Sequence, residues 1–523
     1  MMAIRFSIKN IMRTIHQLPR LFFLVALGFF LSETKSHAHI GVQNVFLETR
    51  AGPYPIRVTI KPPEVVPGLA EIYIRVHDGN VTEVTALPVR YDSGREGAPP
   101  PDRATAVPGS PGLFQAELWF MRSGAHSVVI NLSGPDGEGE AMVPFDAIAT
   151  RTLPLPRILT FILTAMATLL VLLAASIVGG AVRDAVVPAG SKASNRRLWG
   201  ARLAYGIQLI LILALIYTGK NWWDAEELEY QNNRLYRPMT AEATLSSDSS
   251  EAPKELTVTI SDPRFRQGSP LLPDHGKLMH LFMIETESRA FAHLHPTRSE
   301  WEIFKTAIPD LPAGQYRIFA DITHETGFSH TLTNLITLPP PAPQSSSFTS
   351  SDIDDSWMIE ASDQIASPPL IEIHRLQDKT TVSVNEEIAL QFSVRTIAGA
   401  PVNLEPYMGM KSHLVIQKRD GTVFSHLHPS GNVSMASLQA FETRITSGRP
   451  QKVARGQIDP FCELPSVEQS TQRWWQLENR SPEADLSFPY AFPRPGDYRL
   501  WVQVKHSGTI VTRSFDITIT PAQ

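Results

Sequence analysis

Two stretches of the chain are uniformly apolar, whereas most of the remainder alternates short apolar and polar runs. Residues 158–182 carry no formal charge and measure about 37 Å as a helix, which is long enough to cross a hydrocarbon core with some tilt. Residues 203–219 have one polar interruption and lie at the lower limit for a span. Between them, residues 183–202 carry five basic side chains against one acidic one, as short cytoplasmic loops do. The pattern predicts a two-helix transmembrane hairpin over residues 155–219.

A third apolar run lies close to the N-terminus. Residues 21–31 follow four basic residues and precede a polar stretch that ends in Ser36, His37 and Ala38. This order is typical of a secretory signal with small residues at its cleavage site, so residues 1–38 are predicted to be a signal peptide. An uncleaved signal anchor is the alternative. With the basic loop, the signal predicts a bacterial inner-membrane protein whose N-terminal and C-terminal domains lie in the periplasm.

The rest of the chain favours short strands. Its β-branched and aromatic runs are brief, and 42 prolines and 31 glycines separate them. The predicted fold class is mainly β, with several immunoglobulin-like or cupredoxin-like sandwiches joined to the hairpin. The predicted order is a β-sandwich over 39–150, the hairpin, a linker over 220–253, a β-domain over 254–338, a Pro/Ser-rich linker over 339–369, and a β-domain over 370–523 with a polar insertion over 447–486.

Composition excludes several classes of function. The formal net charge of -5 gives no overall basic excess, so nucleic acid is not a predicted partner. The single cysteine, Cys462, excludes an intrachain disulfide framework and a cysteine-based zinc site. The chain also lacks a His-Glu-x-x-His motif, a nucleophile elbow and a phosphate-binding loop. No catalytic residue is predicted, and a binding protein is favoured over an enzyme.

The two C-terminal β-domains repeat one histidine pattern. In each, a histidine lies 13 residues before the first histidine of the segment Phe-x-His-Leu-His-Pro, and a further histidine follows a Gly-x-Tyr-Arg strand. The members are His280, His293, His295 and His324 in the first unit, and His413, His426, His428 and His506 in the second.

This pattern fits a metal site. Side chains two apart on a strand share a face, and the earlier histidine lies on the preceding hairpin strand, so three imidazoles are expected to converge and the last one to complete a set of four. Imidazole suits Cu²⁺ and Zn²⁺, and neighbouring Met279, Met408 and Met410 favour copper, with zinc as the alternative. The competing interpretation is a structural turn with hydrogen-bonded imidazoles.

Two further candidates depend on their surroundings. If His39 becomes the mature terminus, its amine and imidazole form a bidentate copper chelate, with His77 or His126 as a third ligand; a mobile terminus is the alternative. Asp352, Asp354 and Asp355 form an acidic stretch in the second linker, expected to be solvated more than to bind calcium.

The chain resembles an uncharacterised group of bacterial membrane-tethered proteins that carry AHIG, AGPYP, FAHLHP and THETGF, here at residues 38–41, 51–55, 291–296 and 323–328. That resemblance implies no activity. More distantly, the exported β-sandwich with histidines and methionines looks like periplasmic copper carriers of the CopC and YtkA-like kinds, which implies copper capture or delivery with another periplasmic or membrane protein as partner. The competing hypothesis is a non-catalytic envelope scaffold that binds a protein or polymer.

Overall fold

The computed structural model describes residues 44–188, 190–246, 254–262, 270–340, 350–359, 371–376, 381–448 and 485–522. Strands account for 47% and helices for 21%, so the predicted fold class, mainly β with two apolar helices, is confirmed. The predicted signal peptide and His39 lie outside the described residues, as does most of the insertion.

The N-terminal domain is a sandwich of two antiparallel sheets. One sheet has the order β1-β2-β3-β7-β6 and the other the order β5-β4-β8-β9. Along β3 the side chains alternate between buried and more exposed, which is why Ile72 and Ile74 reach the core between the sheets. The strands are β1 (Val45–Ala51), β2 (Tyr54–Lys61), β3 (Gly68–Val76), β4 (Glu83–Arg90), β5 (Asp102–Arg103), β6 (Thr105–Ala106), β7 (Leu113–Phe120), β8 (Gly124–Gly134) and β9 (Gly137–Ala147).

Two long helices follow, α1 (Arg157–Asp184) and α2 (Asn195–Asn233), and they pack against each other. Both are long and apolar enough to cross a membrane, and only 6% of the most apolar window of each is buried inside the protein. Helix α2 continues 14 residues beyond Gly219, where the sequence pattern places the end of the span, because nothing in 220–233 breaks a helix.

The first histidine-bearing unit also consists of two sheets. Their orders are β10-β11-β16-β15 and β12-β17-β13-β14-β19, with β18 pairing with β17. The strands are β10 (Thr240–Ser246), β11 (Glu255–Ser261), β12 (Leu271–Leu272), β13 (His280–Glu285), β14 (Phe291–Leu294), β15 (Thr297–Glu300), β16 (Ile303–Ala307), β17 (Gly314–His324), β18 (Ser329–Leu338) and β19 (Ser356–Met358).

The second unit repeats the histidine-bearing sheet as β21-β27-β26-β23-β24 and faces it with β20-β22-β25. Helix α3 (Met435–Ser447) begins where Ser434 accepts the Ser437 N–H and ends at Gly448 in the left-handed region. The strands are β20 (Ile371–Arg375), β21 (Val382–Ser383), β22 (Glu387–Thr396), β23 (His413–Lys418), β24 (Phe424–Leu427), β25 (Asp485–Ala491), β26 (Gly496–His506) and β27 (Thr509–Thr520).

Two strands lie where the sequence pattern suggests linkers. Strand β10 pairs with β11 along its whole length, and β19 pairs with β14, the strand that carries His293. Both lie next to Ser-rich segments, and β19 has only three residues, so their composition obscures them. The residues around β19 therefore belong to the histidine site.

The N-terminal domain docks on the second unit. The Glu48 N–H donates to the Ser430 carbonyl at 2.7 Å, and Phe46 is buried in the core of the second unit. From the other side, the Arg444 guanidinium of α3 donates to the Tyr91 carbonyl at 2.8 Å. The loop that follows His428 is thus held by the N-terminal domain.

Candidate metal centre

The hairpin of β13 and β14 brings three histidines of the first unit together. Phe282 pairs with His293, and side chains two apart share a face, so His280, His293 and His295 project from the same side. One nitrogen from each of the three rings lies within 4.8 Å of the others, and all three rings are buried. We call this set the first triad.

Strands β23 and β24 repeat the arrangement. Val415 pairs with His426, which places His413, His426 and His428 on one side of the sheet. Their ligand atoms also lie within 4.8 Å of one another. We call this set the second triad, and both triads are groups that could hold a metal ion.

The structure places His324 and His506 outside these groups, so neither completes a set of four. His280 lies opposite Asp321 and His413 lies opposite Gln503, and in each case the later histidine is three residues further along the strand. An odd separation directs the side chain to the other face of the sheet. There the His324 ring lies 4.9 Å from the His330 ring, and His506 Nδ1 donates to the Asn403 carbonyl at 3.1 Å.

Each ring of the first triad is held through its outer nitrogen. His280 Nε2–H donates to the Asp274 carbonyl at 3.1 Å, and His295 Nδ1–H donates to Asp355 Oδ1 at 3.0 Å. His293 Nδ1–H donates to Gln503 Oε1 at 3.0 Å, whose amide nitrogen is engaged with the Ser356 hydroxyl. A neutral imidazole carries one N–H, so the inner nitrogens are left as lone pairs. This is the arrangement by which proteins orient metal-ligating histidines.

With these tautomers the inner lone pairs have no proton between them. His280 Nδ1 and His293 Nε2 are 3.1 Å apart, and among the described residues no atom hydrogen-bonds to the buried His295 Nε2. Two nitrogens that share a tetrahedral ion with bonds of 2.0–2.1 Å lie about 3.3 Å apart. An ion bound by the three inner nitrogens removes the repulsion between the two lone pairs and gives the buried His295 Nε2 a partner. Without an ion, these tautomers leave both unfavourable features in place.

The second triad is held less completely. His413 Nε2–H donates to the Tyr407 carbonyl at 3.0 Å, and its Nδ1 lies 3.0 Å from His426 Nε2. Asp321 Oδ2 lies 3.6 Å from His426 Nδ1, a charge contact longer than a hydrogen bond. Within the described part of the chain, His428 Nδ1 is buried without a hydrogen-bond partner.

Burial favours the neutral form of five of the six triad histidines. Desolvation lowers the pKa of His280, His293, His413 and His428 well below the ordinary value of histidine. The pKa of His426 falls to about 3 for the same reason, with His275 and His295 adding repulsion between charges. Neutral imidazole is the form that binds a metal ion, so no proton competes with an ion at these five rings at neutral pH.

Several residues at the site go beyond the histidine repeat. The acidic stretch expected to be solvated is instead part of the site, because Asp355 is buried against His295, while Asp352 lies 2.6 Å from the Lys277 ammonium. Two of the methionines point elsewhere: Met279 packs in the core of the first unit and Met410 in the core shared with the N-terminal domain. These two thioethers therefore do not favour copper over zinc at the triads.

His77 and His126, considered as partners of His39, are both engaged elsewhere. His77 Nε2 lies 3.0 Å from Glu48 Oε2, and His126 is buried between Phe120 and Phe145 with Nδ1–H donating to the Gly124 carbonyl at 2.9 Å. His39 itself lies outside the described residues.

The fold and the site define a β-sandwich protein with two apolar helices and a buried imidazole cluster that could hold metal. The profile of a family described as a domain of unknown function, DUF8832, matches residues 239–338, 373–451 and 469–521. One profile thus covers both histidine-bearing units. No curated protein matches the chain.

Solved structures align with the chain at 8% identity. Latent PorU from Porphyromonas gingivalis covers 92% of this chain and 34% of its own length, with a TM-score of 0.14. Red sea bream transglutaminase covers 56% of this chain and 33% of its own length, also with a TM-score of 0.14. The D00-D0 domain of intimin covers 53% of this chain and 100% of its own length, with a TM-score of 0.13. The chain spans about a third of the length of the first two proteins, and these alignments carry no argument about function.

Proposed function

We propose that this chain is a membrane-anchored periplasmic protein that binds transition-metal ions, copper foremost, through its two histidine triads, and that it captures or delivers them. The observation that carries the proposal is the first triad. Its three outer nitrogens donate to Asp274, Gln503 and Asp355, and its three inner nitrogens converge as lone pairs. A purely structural histidine cluster has no need to direct its lone pairs at one another.

The donor set selects the kind of ion. Three neutral imidazoles suit copper and zinc, whereas calcium and magnesium require oxygen ligands. Cu²⁺ stands above Zn²⁺ in the affinity order for nitrogen ligands, so we assign copper first and zinc second. The sequence likeness to CopC-type and YtkA-like copper carriers supports this assignment.

The anchor gives the site its location. Two membrane-crossing helices joined by a short basic segment return the chain to its starting side, and the positive-inside rule puts that segment in the cytoplasm. Both β-rich portions then lie in the periplasm, where they are able to contact each other. Their hydrogen bonds, such as that from Glu48 to Ser430, support the same-side arrangement.

The test uses the full chain purified in detergent, stripped of metal and titrated with Cu²⁺ and with Zn²⁺ against a chromophoric chelator. We expect tight copper binding, and at least a hundredfold loss of affinity at the first triad in His295→Gln. His324→Gln is the matched control, because His324 is also a buried histidine on a strand of the same unit but points to the other face.

If the wild-type chain binds neither ion at micromolar concentration, or if His324→Gln loses as much affinity as His295→Gln, the metal proposal is wrong. A folded, metal-free protein with full thermal stability would then favour the competing scaffold role, in which the histidines only brace the two units.

A further inference from the structure

The two triads face each other across one buried interface between the histidine-bearing units. Within a triad the ring centroids lie 4.6–5.4 Å apart, as the pairs His293–His295 and His280–His293 show. Across the interface the spacing is hardly larger: 5.5 Å from His280 to His426 and 5.6 Å from His293 to His426. The imidazoles therefore form one cluster instead of two separate sites.

Each unit also contributes to the other unit's triad. Gln503, on β26 of the second unit, accepts the His293 Nδ1–H of the first triad. In the reverse direction, Asp321 on β17 of the first unit lies beside His426 of the second triad. Asp321 and Gln503 occupy equivalent positions, opposite His280 and His413. Each unit therefore places a side chain from the equivalent strand position beside the triad of the other unit.

His275 breaks this symmetry and lies between the triads. It belongs to the first unit, yet its Nε2 is 3.2 Å from His428 Nε2 in the second triad, and its ring also approaches His280 at 6.1 Å. Its backbone has φ 51°, in the left-handed region, which is uncommon for a histidine. Met408 holds the equivalent turn position in the second unit with φ 49°. The turn thus places an imidazole in one unit where the other has a thioether.

We infer that the two triads hold a pair of copper ions as one dinuclear centre across the interface, with His275 as an additional nitrogen ligand of the ion in the second triad. This inference rests on the proposed function. Each ion takes three imidazoles from one unit, and the ion in the second triad takes a fourth from the other unit.

Nearby carboxylates offset the charge of such a pair. Asp355 bonds to His295, Asp321 lies beside His426, and Asp274 Oδ1 is 4.0 Å from His275 Nε2. Buried cations require this compensation. The rings of His280, His293 and His413 are at most 1% exposed, so the centre admits only ions and small bridging ligands such as hydroxide.

The test loads the full chain in detergent with Cu²⁺ under an oxidant, ferricyanide, that keeps both ions in the Cu(II) state. Copper content is measured by elemental analysis, and spins are counted by electron paramagnetic resonance. We expect two copper ions per chain and a spin count well below the copper content, because neighbouring Cu(II) ions couple magnetically. The double variant His413→Gln with His428→Gln leaves the second ion only two imidazoles and should bind one copper per chain, with one full spin.

A second variant guards against misfolding. His275→Met places in the first unit the residue that the second unit already carries at the same turn position, so the turn is retained. We expect it to keep two copper ions and their coupling, but to release the more weakly bound ion to a chelator about tenfold more readily. His324→Gln should change none of these measurements.

The outcomes separate the two proposals. No bound copper overturns the proposed function together with the pair. Two bound copper ions with two full, uncoupled spins overturn the dinuclear centre and leave the proposed function standing. One copper per chain, lost both in His295→Gln and in the double variant His413→Gln with His428→Gln, also overturns the pair, because the two triads then share a single ion.

Discussion

Replacing Asp355 by asparagine isolates the part that one carboxylate plays in the first triad. Asp355 Oδ1 accepts the backbone N–H of His295 at 2.8 Å and its Nδ1–H at 3.0 Å. Oδ2 accepts from the Ser350 hydroxyl and the Asp352 N–H. Asparagine has one accepting oxygen, so its NH₂ group must face one of these two sets of donors. If it faces His295, the ring proton is driven to Nε2, the nitrogen that binds the ion.

The expected effect follows from the kind of contact that is lost. Removing a partner that orients a metal-ligating histidine lowers metal affinity 10–100-fold, which is about 1.4–2.7 kcal/mol. The measurement is a chelator competition titration with Cu²⁺ on the full chain, made in a background of His413→Gln with His428→Gln so that only the first triad reports.

Asp354→Asn is the matched control. Asp354 is the adjacent residue, but its carboxylate lies 3.4 Å from each of the ammonium groups of Lys277 and Lys505 and is not bonded to a triad ring. We expect its affinity to stay within about twofold of the background. Unchanged affinity in Asp355→Asn, or an equal loss in Asp354→Asn, would refute the role given to Asp355.

Three other predictions concern separate parts of the chain. Desolvation lowers the pKa of His126 to about 4 from 6.5, so the neutral ring contributes fully to the free energy of unfolding above pH 6.5. This contribution declines as the pH falls toward 4, and at pH 5 about 2 kcal/mol is lost. Acid unfolding of His126→Gln should lack this component. Gly431→Ala puts a Cβ 1.9 Å from the Phe46 carbonyl and should lower the melting temperature by several degrees, whereas Gly124→Ala, at nearly the same φ but in open space, should cost less. Gln503→Met removes the acceptor of His293 and should weaken copper binding at the first triad about tenfold in a competition titration, although Gln503 lies in the other unit.

The triads could be predicted from the sequence because they depend on local rules alone. A spacing of 13 between His280 and His293, an alternating strand and a hairpin suffice to bring three rings to one face. The same alternation explains why the prediction that His324 completes a set of four is wrong. The residues on the correct face of the neighbouring strands are Asp321 and Gln503, and only the strand register shows that.

The remaining parts of the site depend on contacts that no local pattern contains. Asp355 belongs to a segment whose composition resembles a solvated linker, and it is recognised as a partner of His295 only once β19 pairs with β14. His275 is hidden for a different reason. The repeat is visible only through residues that the two units share, and the second unit has Met408 at the corresponding position.

Metal binding and the docking of the two units are expected to be a single equilibrium. His293 donates to Gln503 of the second unit, and His428 contacts His275 of the first, so separating the units removes a supporting contact from each triad. An ion that binds only the docked arrangement stabilises it by about 2.7 kcal/mol when its free concentration is 100 times its dissociation constant. Because the N-terminal domain holds the loop after His428 through Ser430, part of this stabilisation extends to that contact as well. Copper should therefore raise the melting temperature of the N-terminal domain and of both histidine-bearing units together. A rise confined to one unit would contradict this linkage.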